Sequence, residues 1–154
     1  TAGSFDAWMT MRGLRTLRPR MRQHESNALA VVEALTGHPA AEQVWHPSLP
    51  DHPGHEIARR QQEGFGAMVS FDLGTREAAG ACVEKLQFVS LAESLGGTES
   101  LIAHPVSMTH GAMTPEAQAA AGLTPGLLRM SVGLEDADDL VADLTAGLDR
   151  ATRV

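Results

Sequence analysis

Arg129 is the residue whose type and setting point most directly to chemistry. It stands inside Leu127–Val132, an otherwise largely apolar run that includes Leu128, Met130 and Val132. A guanidinium there is costly to desolvate unless an anion meets it. Its planar donors suit a bidentate grip on a carboxylate. Two partners satisfy that chemistry: the carboxylate of a ligand, or an acid on a neighbouring element. A second candidate is Glu93-Ser94-Leu95-Gly96-Gly97. Its paired glycines can adopt positive φ and let backbone approach a ligand closely. Ser94 adds a hydroxyl able to donate or accept. The same run also reads as an ordinary turn.

The remaining reactive side chains are weaker candidates. His52 and His55 are three apart, but prolines surround them and no cysteine or carboxylate pair completes a metal set. Ser107, Thr109 and His110 form a polar cluster in a loop, where His110 reads as a structural histidine. Cys82, the single cysteine, has apolar neighbours and reads as a packing residue. Lys85 is the single lysine, on a helix among surface residues, with nothing nearby to desolvate an amine into a nucleophile. No phosphate-binding glycine loop and no nucleophile elbow is present.

The elements that must carry these residues follow from pattern. Residues 4–35 read mainly as helix, started by Ser4 or Asp6 and ended at Gly37, with Met21, Ala28, Val32 and Leu35 on one face. Pro19 should kink or divide it and push Arg18 towards extended geometry. A short strand is expected near Val44 and Trp45, then a proline-rich turn region over 46–55 and a short helix over 55–62. Ala67–Leu73 alternates with Val69, Phe71 and Leu73 on one side, a strand covered on one face. A helix over 75–86 and a strand over Gln87–Leu91 come next, and Leu101 and Ile102 lead into a loop through His110. Thr114-Pro115 opens a short helix that Gly122 can end. Leu127–Val132 is the last strand. The last helix starts near Glu135–Asp136, and Leu140, Leu144 and Leu148 anchor it. The expected class is α+β: a long N-terminal helix and a small, mainly antiparallel sheet covered by helices on one side.

Composition narrows the function classes. Hydrophobic residues make up 43% and charged residues 20% of the 154, a mixture that folds rather than stays disordered. Net charge is −7, and aromatics are only 4% with no tyrosine. Five arginines within residues 1–22 do not offset that field, so nucleic acid is not an expected partner. No apolar run approaches the length of a bilayer span, so no membrane association is expected. One cysteine excludes an internal disulfide and fits a reducing, cytoplasmic setting. The first residue is Thr1, which predicts further residues upstream.

Several ordered motifs resemble the C-terminal part of the trans-sulfuration enzymes that use pyridoxal phosphate, the Cys/Met metabolism family. They are Phe5-Asp-Ala-Trp8, Arg12-Gly-Leu-Arg-Thr-Leu17, His46-Pro-Ser-Leu-Pro50, Gly54-His-Glu-Ile-Ala58 and Gly64-Phe-Gly-Ala-Met68. They continue with Leu91-Ala-Glu-Ser-Leu-Gly-Gly97, Glu99-Ser-Leu101, Met108-Thr-His110 and Leu128-Arg-Met-Ser-Val-Gly-Leu-Glu-Asp136. Within that family the bacterial cystathionine γ-synthases are the nearest in pattern.

The resemblance implies an aminotransferase-like fold, with residues 1–36 as the connecting helix and 37–154 as the small C-terminal domain. It implies that Arg129 binds the α-carboxylate of an amino-acid substrate, that Ser94 assists, and that Glu93 and Leu95 lie with them at the substrate. The implied reaction is replacement at Cγ: the ester group of an O-acylhomoserine leaves from Cγ as a carboxylate and cysteine sulfur adds, giving cystathionine for methionine biosynthesis, with the cofactor as electron sink. Pyridoxal phosphate and its Schiff-base lysine are expected in an N-terminal part that this sequence lacks, so the chain alone should be inactive. A homotetramer is implied as well. Two other readings stay open: a cystathionine γ-lyase, and a stand-alone amino-acid-binding module.

Overall fold

A computed structural model describes residues 3–154; Thr1 and Ala2 lie outside them. Eleven elements follow in order: α1 (Ser4–Arg15), α2 (Leu17–Thr36), β1 (Gln43–Trp45), α3 (His55–Gln61), β2 (Met68–Asp72), α4 (Arg76–Val83), β3 (Ser90–Leu91), β4 (Leu101–Ala103), α5 (Pro115–Ala120), β5 (Leu127–Ser131) and α6 (Ala137–Ala151). The five strands form one sheet in the order β1-β2-β5-β4-β3, with only the β3–β4 pair parallel. Val44, Val69, Phe71, Ile102, Leu128 and Met130 are buried in one core with Val31 and Leu35 of α2, Cys82 of α4, and Leu140, Leu144 and Leu148 of α6. The fold is therefore α+β with α2, α4 and α6 on one side of the sheet, as the alternation in β2 and β5 requires.

Register fixes what the other face shows. Trp45, Ser70, Arg129 and Ala103 align across β1, β2, β5 and β4 in a single row. Trp45 and Met68 on this face are exposed, and Ser70 and Arg129 are half-buried. A central strand, bonded on both sides, thus presents its one cation to the face that α2, α4 and α6 do not cover.

Local chemistry explains where the pattern reading and the fold part company. The N-terminal helix divides at Thr16, three residues ahead of Pro19, and Arg18 is helical rather than extended. Proline in the first turn of α2 loses only an amide with no intrahelical acceptor, whereas continuing α1 through it would set its ring against the Arg15 carbonyl. Arg20 brackets the break, donating to the Gly13 carbonyl at 2.9 Å and to Thr16 Oγ1 at 3.3 Å. Gly3, not Ser4, precedes the first turn of α1, and the Asp6 carboxylate accepts its N–H at 3.1 Å. Met21 is exposed, and His24 and Asn27 take the buried face instead.

Helix α4 stops at Val83 rather than continuing to 86, and Lys85 follows it, exposed. Arg150 donates to the carbonyls of Ala81 and Cys82 at 3.1 and 3.0 Å, closing the helix end. The buried Asp143 carboxylate accepts the N–H groups of Gln87 and Phe88 at 2.9 Å. Those two amides are therefore lost to a strand ladder, and the strand expected from Gln87 shortens to Ser90–Leu91. Leu101–Ala103, read as a lead into a loop, is strand β4, buried on both faces and so without alternation.

Candidate functional site

Arg129 sits midway along β5, paired with Ser70 on one side and Ala103 on the other. Both neighbours are small, which leaves room around the guanidinium on the open face. Among the described residues no carboxylate forms an ion pair with it; the four ion pairs lie elsewhere. Its Nη2 donates to the backbone carbonyl of Glu93 at 3.0 Å. A carbonyl takes one of five donors and carries no formal charge, so the capacity for an anion remains.

The loop between β3 and β4 is bound to the same strand a second time. Gly96 N–H donates to Ser131 Oγ at 2.9 Å, two residues along from Arg129 and on the same face. Gly96 adopts φ +77°, the left-handed region that a side chain resists. These two bonds pin the Glu93–Gly96 turn to β5, with the Glu93 carbonyl on Arg129 and the side chains of Glu93, Ser94 and Leu95 exposed. The Glu93 contribution to this contact is its main chain, which residue type does not encode.

The other candidates are separated from this group. Lys85 follows α4, which packs into the helix-covered core, whereas Arg129 belongs to the opposite face. Among the described residues no cluster of three histidine, cysteine or acidic side chains could hold a metal ion. His52 Nδ1 accepts from Gly54 N–H at 3.0 Å, and His55 Nδ1 donates to the Pro47 carbonyl at 2.8 Å and stacks on Phe65. Ser107 pairs with the buried His104 at 2.7 Å rather than with His110, which meets Thr109 at 2.8 Å. Cys82 is fully buried, and burial pushes its thiol up to about 12, which suits packing and not nucleophilic attack. No described helix is long and apolar enough to cross a membrane.

Sequence reasoning passed over the polar residues that hold this region in place. His24 Nδ1 donates to the Val132 carbonyl at 2.7 Å. Asn27 Nδ2 donates to the carbonyls of Gly133 and Glu135 at 3.0 and 2.8 Å. Both are buried on α2, and together they secure the chain just beyond β5. The one available signal was that His24 and Asn27 each fall four residues before an inward-facing residue, Ala28 and Val31 respectively.

Known proteins resemble this chain along nearly its whole length. The family model described as Cys/Met metabolism PLP-dependent enzyme matches residues 1–149. Cystathionine gamma-synthase of Escherichia coli (strain K12) is 51% identical over 154 residues, covering 99% of this chain and 40% of that protein. L-methionine gamma-lyase of Fusobacterium nucleatum subsp. polymorphum is 51% identical over 149 residues, covering 96% of this chain and 38% of the relative. The crystal structure of cystathionine gamma synthase from Xanthomonas oryzae pv. oryzae in complex with aminoacrylate and cysteine superposes with a TM-score of 0.94 at 58% identity, over 99% of this chain and 40% of that one. The chain spans about two fifths of the length of these relatives. With residues 1–149 matched by the family model and relatives about half identical along nearly the whole chain, the chain belongs to the Cys/Met metabolism PLP-dependent enzyme family.

Proposed function

We propose that this chain is the substrate-carboxylate-binding part of a cystathionine γ-synthase, acting with a cofactor-bearing part of the same protein in a cytoplasmic homotetramer. The carrying observation is Arg129: a half-buried cation on the open face of a central strand, without an acid paired to it among the described residues. In this reading the guanidinium grips the α-carboxylate of an O-acylhomoserine, Ser94 adds its hydroxyl, and Glu93 and Leu95 lie towards the distal end of the substrate. Fixing the head group orients the bonds that react, an entropic contribution to rate. The exposed apolar side chains of α1, Phe5, Trp8, Met11 and Leu14, support burial of that helix in a larger assembly.

The residues present do not fit pyridoxal phosphate as its covalent holders. The only lysine, Lys85, is exposed and follows a helix on the wrong side of the sheet. The chain by itself is therefore proposed to be inactive. Replacing Arg129 by alanine in the cofactor-loaded holoenzyme tests the assignment: kcat/KM for an O-acylhomoserine falls sharply, and an unchanged value removes Arg129 from the site.

A γ-lyase reading stands beside this one because an L-methionine gamma-lyase is as similar as a cystathionine gamma-synthase, both 51% identical. Supplying the holoenzyme with O-acylhomoserine plus cysteine, or with cystathionine alone, separates replacement from elimination.

A further inference from the structure

The loop that meets Arg129 is held at its far end by one carboxylate. Ser100, fully buried at the start of β4, donates its N–H to Glu135 Oε1 at 2.6 Å and its hydroxyl to Glu135 Oε2 at 2.8 Å. Ser100 Oγ in turn accepts the Gly133 N–H at 2.8 Å, and Leu134 N–H donates to the Thr98 carbonyl at 2.8 Å. A side chain at Gly133 would have its Cβ 2.5 Å from Ser100 N, so only glycine permits this approach. Glu135 is itself fixed, because its backbone carbonyl accepts from the buried Asn27. Residues 92–99 are thus held by Ala92 N–H on the Ile102 carbonyl at one end, by the Glu93 and Gly96 bonds to β5 along their length, and by the Leu134–Thr98 and Glu135–Ser100 bonds at the other end.

We propose that Glu135 is a positioning residue for amino-acid substrate recognition, setting the height of the 92–99 loop over Arg129 through Ser100. This rests on the carboxylate-binding reading of Arg129. Both oxygens of Glu135 are used as acceptors, one from an amide and one from a hydroxyl. An ionised carboxylate satisfies both donors, and charge-assisted bonds of this kind are roughly twice as strong as neutral ones. Glutamine has one acceptor oxygen and presents an NH2 group to the second donor. Glu135→Gln therefore releases one bond of the support while preserving size, and the loop that carries Ser94 and the Glu93 carbonyl is less firmly held beside the guanidinium.

The test is a double-mutant cycle in the cofactor-loaded holoenzyme, with O-succinylhomoserine and L-cysteine as substrates. Glu135→Gln is expected to raise KM for O-succinylhomoserine about tenfold with kcat changed less than about twofold, the pattern of lost substrate binding. In an Arg129→Ala background the same change is expected to alter KM by less than about twofold, because the two residues act through one contact. Ser100→Ala removes the hydroxyl bond from the other side and carries the same expectation should Glu135→Gln fail to fold. Wild-type KM in both variants, or an equal effect with and without Arg129, overturns the proposal and leaves Arg129 in place. Wild-type KM in Arg129→Ala alone overturns the carboxylate-binding reading, and this proposal with it.

Discussion

The guanidinium of Arg129 and the main-chain carbonyl of Glu93 are joined at 3.0 Å across 36 residues of sequence, so the last strand and the β3–β4 loop form one unit. The bond joins a fixed element to a turn, and among the described residues it takes up one of the five guanidinium donors.

Charge alone should not replace the guanidinium. Arg129→Lys in the holoenzyme keeps a cation but loses the planar fork, so kcat/KM for an O-acylhomoserine should fall by about 10- to 100-fold, with Arg129→Ala lower still. Steady-state kinetics measures both, and thermal melts of the two variants should stay close to the parent because Arg129 is no part of the core. A lysine variant at parental efficiency would disprove a bidentate grip.

Asp143 should matter to stability far more than its place among the surface acids of α6 suggests. It is buried, and its carboxylate accepts two backbone N–H groups. Asp143→Asn weakens these charge-assisted bonds and should cost about 2 kcal/mol in urea unfolding. Hydrogen exchange at the Gln87 and Phe88 amides should accelerate in the same variant. Unchanged exchange there would show that the carboxylate does not hold this turn.

Leu144 lies fully buried at the centre of the α6 stripe. Leu144→Ala should destabilise the chain by about 3 kcal/mol through lost burial and the remaining cavity. Chemical denaturation monitored by circular dichroism would check this, and a cost below about 1 kcal/mol would indicate a core that collapses around the gap.

His46 predicts the direction of pH dependence. Burial holds its pKa below the usual histidine value, outweighing the Gly66 carbonyl, which favours the charged form. Ser48 N–H donates to Nδ1 at 3.3 Å, which makes Nδ1 an acceptor and leaves Nε2–H to donate to Gly66 at 3.3 Å. The unfolded chain then binds the proton more readily than the folded one. Stability should be full above about pH 6.5, the unfolded value, and should fall as pH drops from there towards the lower folded value. Urea midpoints from pH 8 to pH 5 would reveal this slope, and His46→Gln should flatten it.

Much of this architecture could be read from periodicity, because the elements that bury one face announce it. Leu140, Leu144 and Leu148 repeat every four residues, and Val69–Phe71 and Leu128–Met130 alternate. Each ended in the core. What periodicity could not reach were elements defined by distant hydrogen bonds. Strand β4 is buried on both faces and has no alternation to display. The ends of α4 and β3 are set by Arg150 and Asp143, more than fifty residues away. His24 and Asn27 look misplaced on an inward stripe until the carbonyls of 132–135 are seen to meet them. At the candidate site, Arg129 and the Glu93–Leu95 run were legible from residue type. Their junction was not, since it passes through a backbone carbonyl that any residue would supply.

The position of β5 between two antiparallel neighbours gives the two halves of the candidate site unequal tolerance to change. Moving the root of Arg129 would break ladders on both edges, whereas the exposed Glu93, Ser94 and Leu95 can exchange side chains without disturbing either, although Gly96 with its positive φ cannot. In the reading proposed above, head-group capture rests on the part of the site that the ladders fix, and discrimination at the far end of a ligand rests on a few exposed side chains free to change.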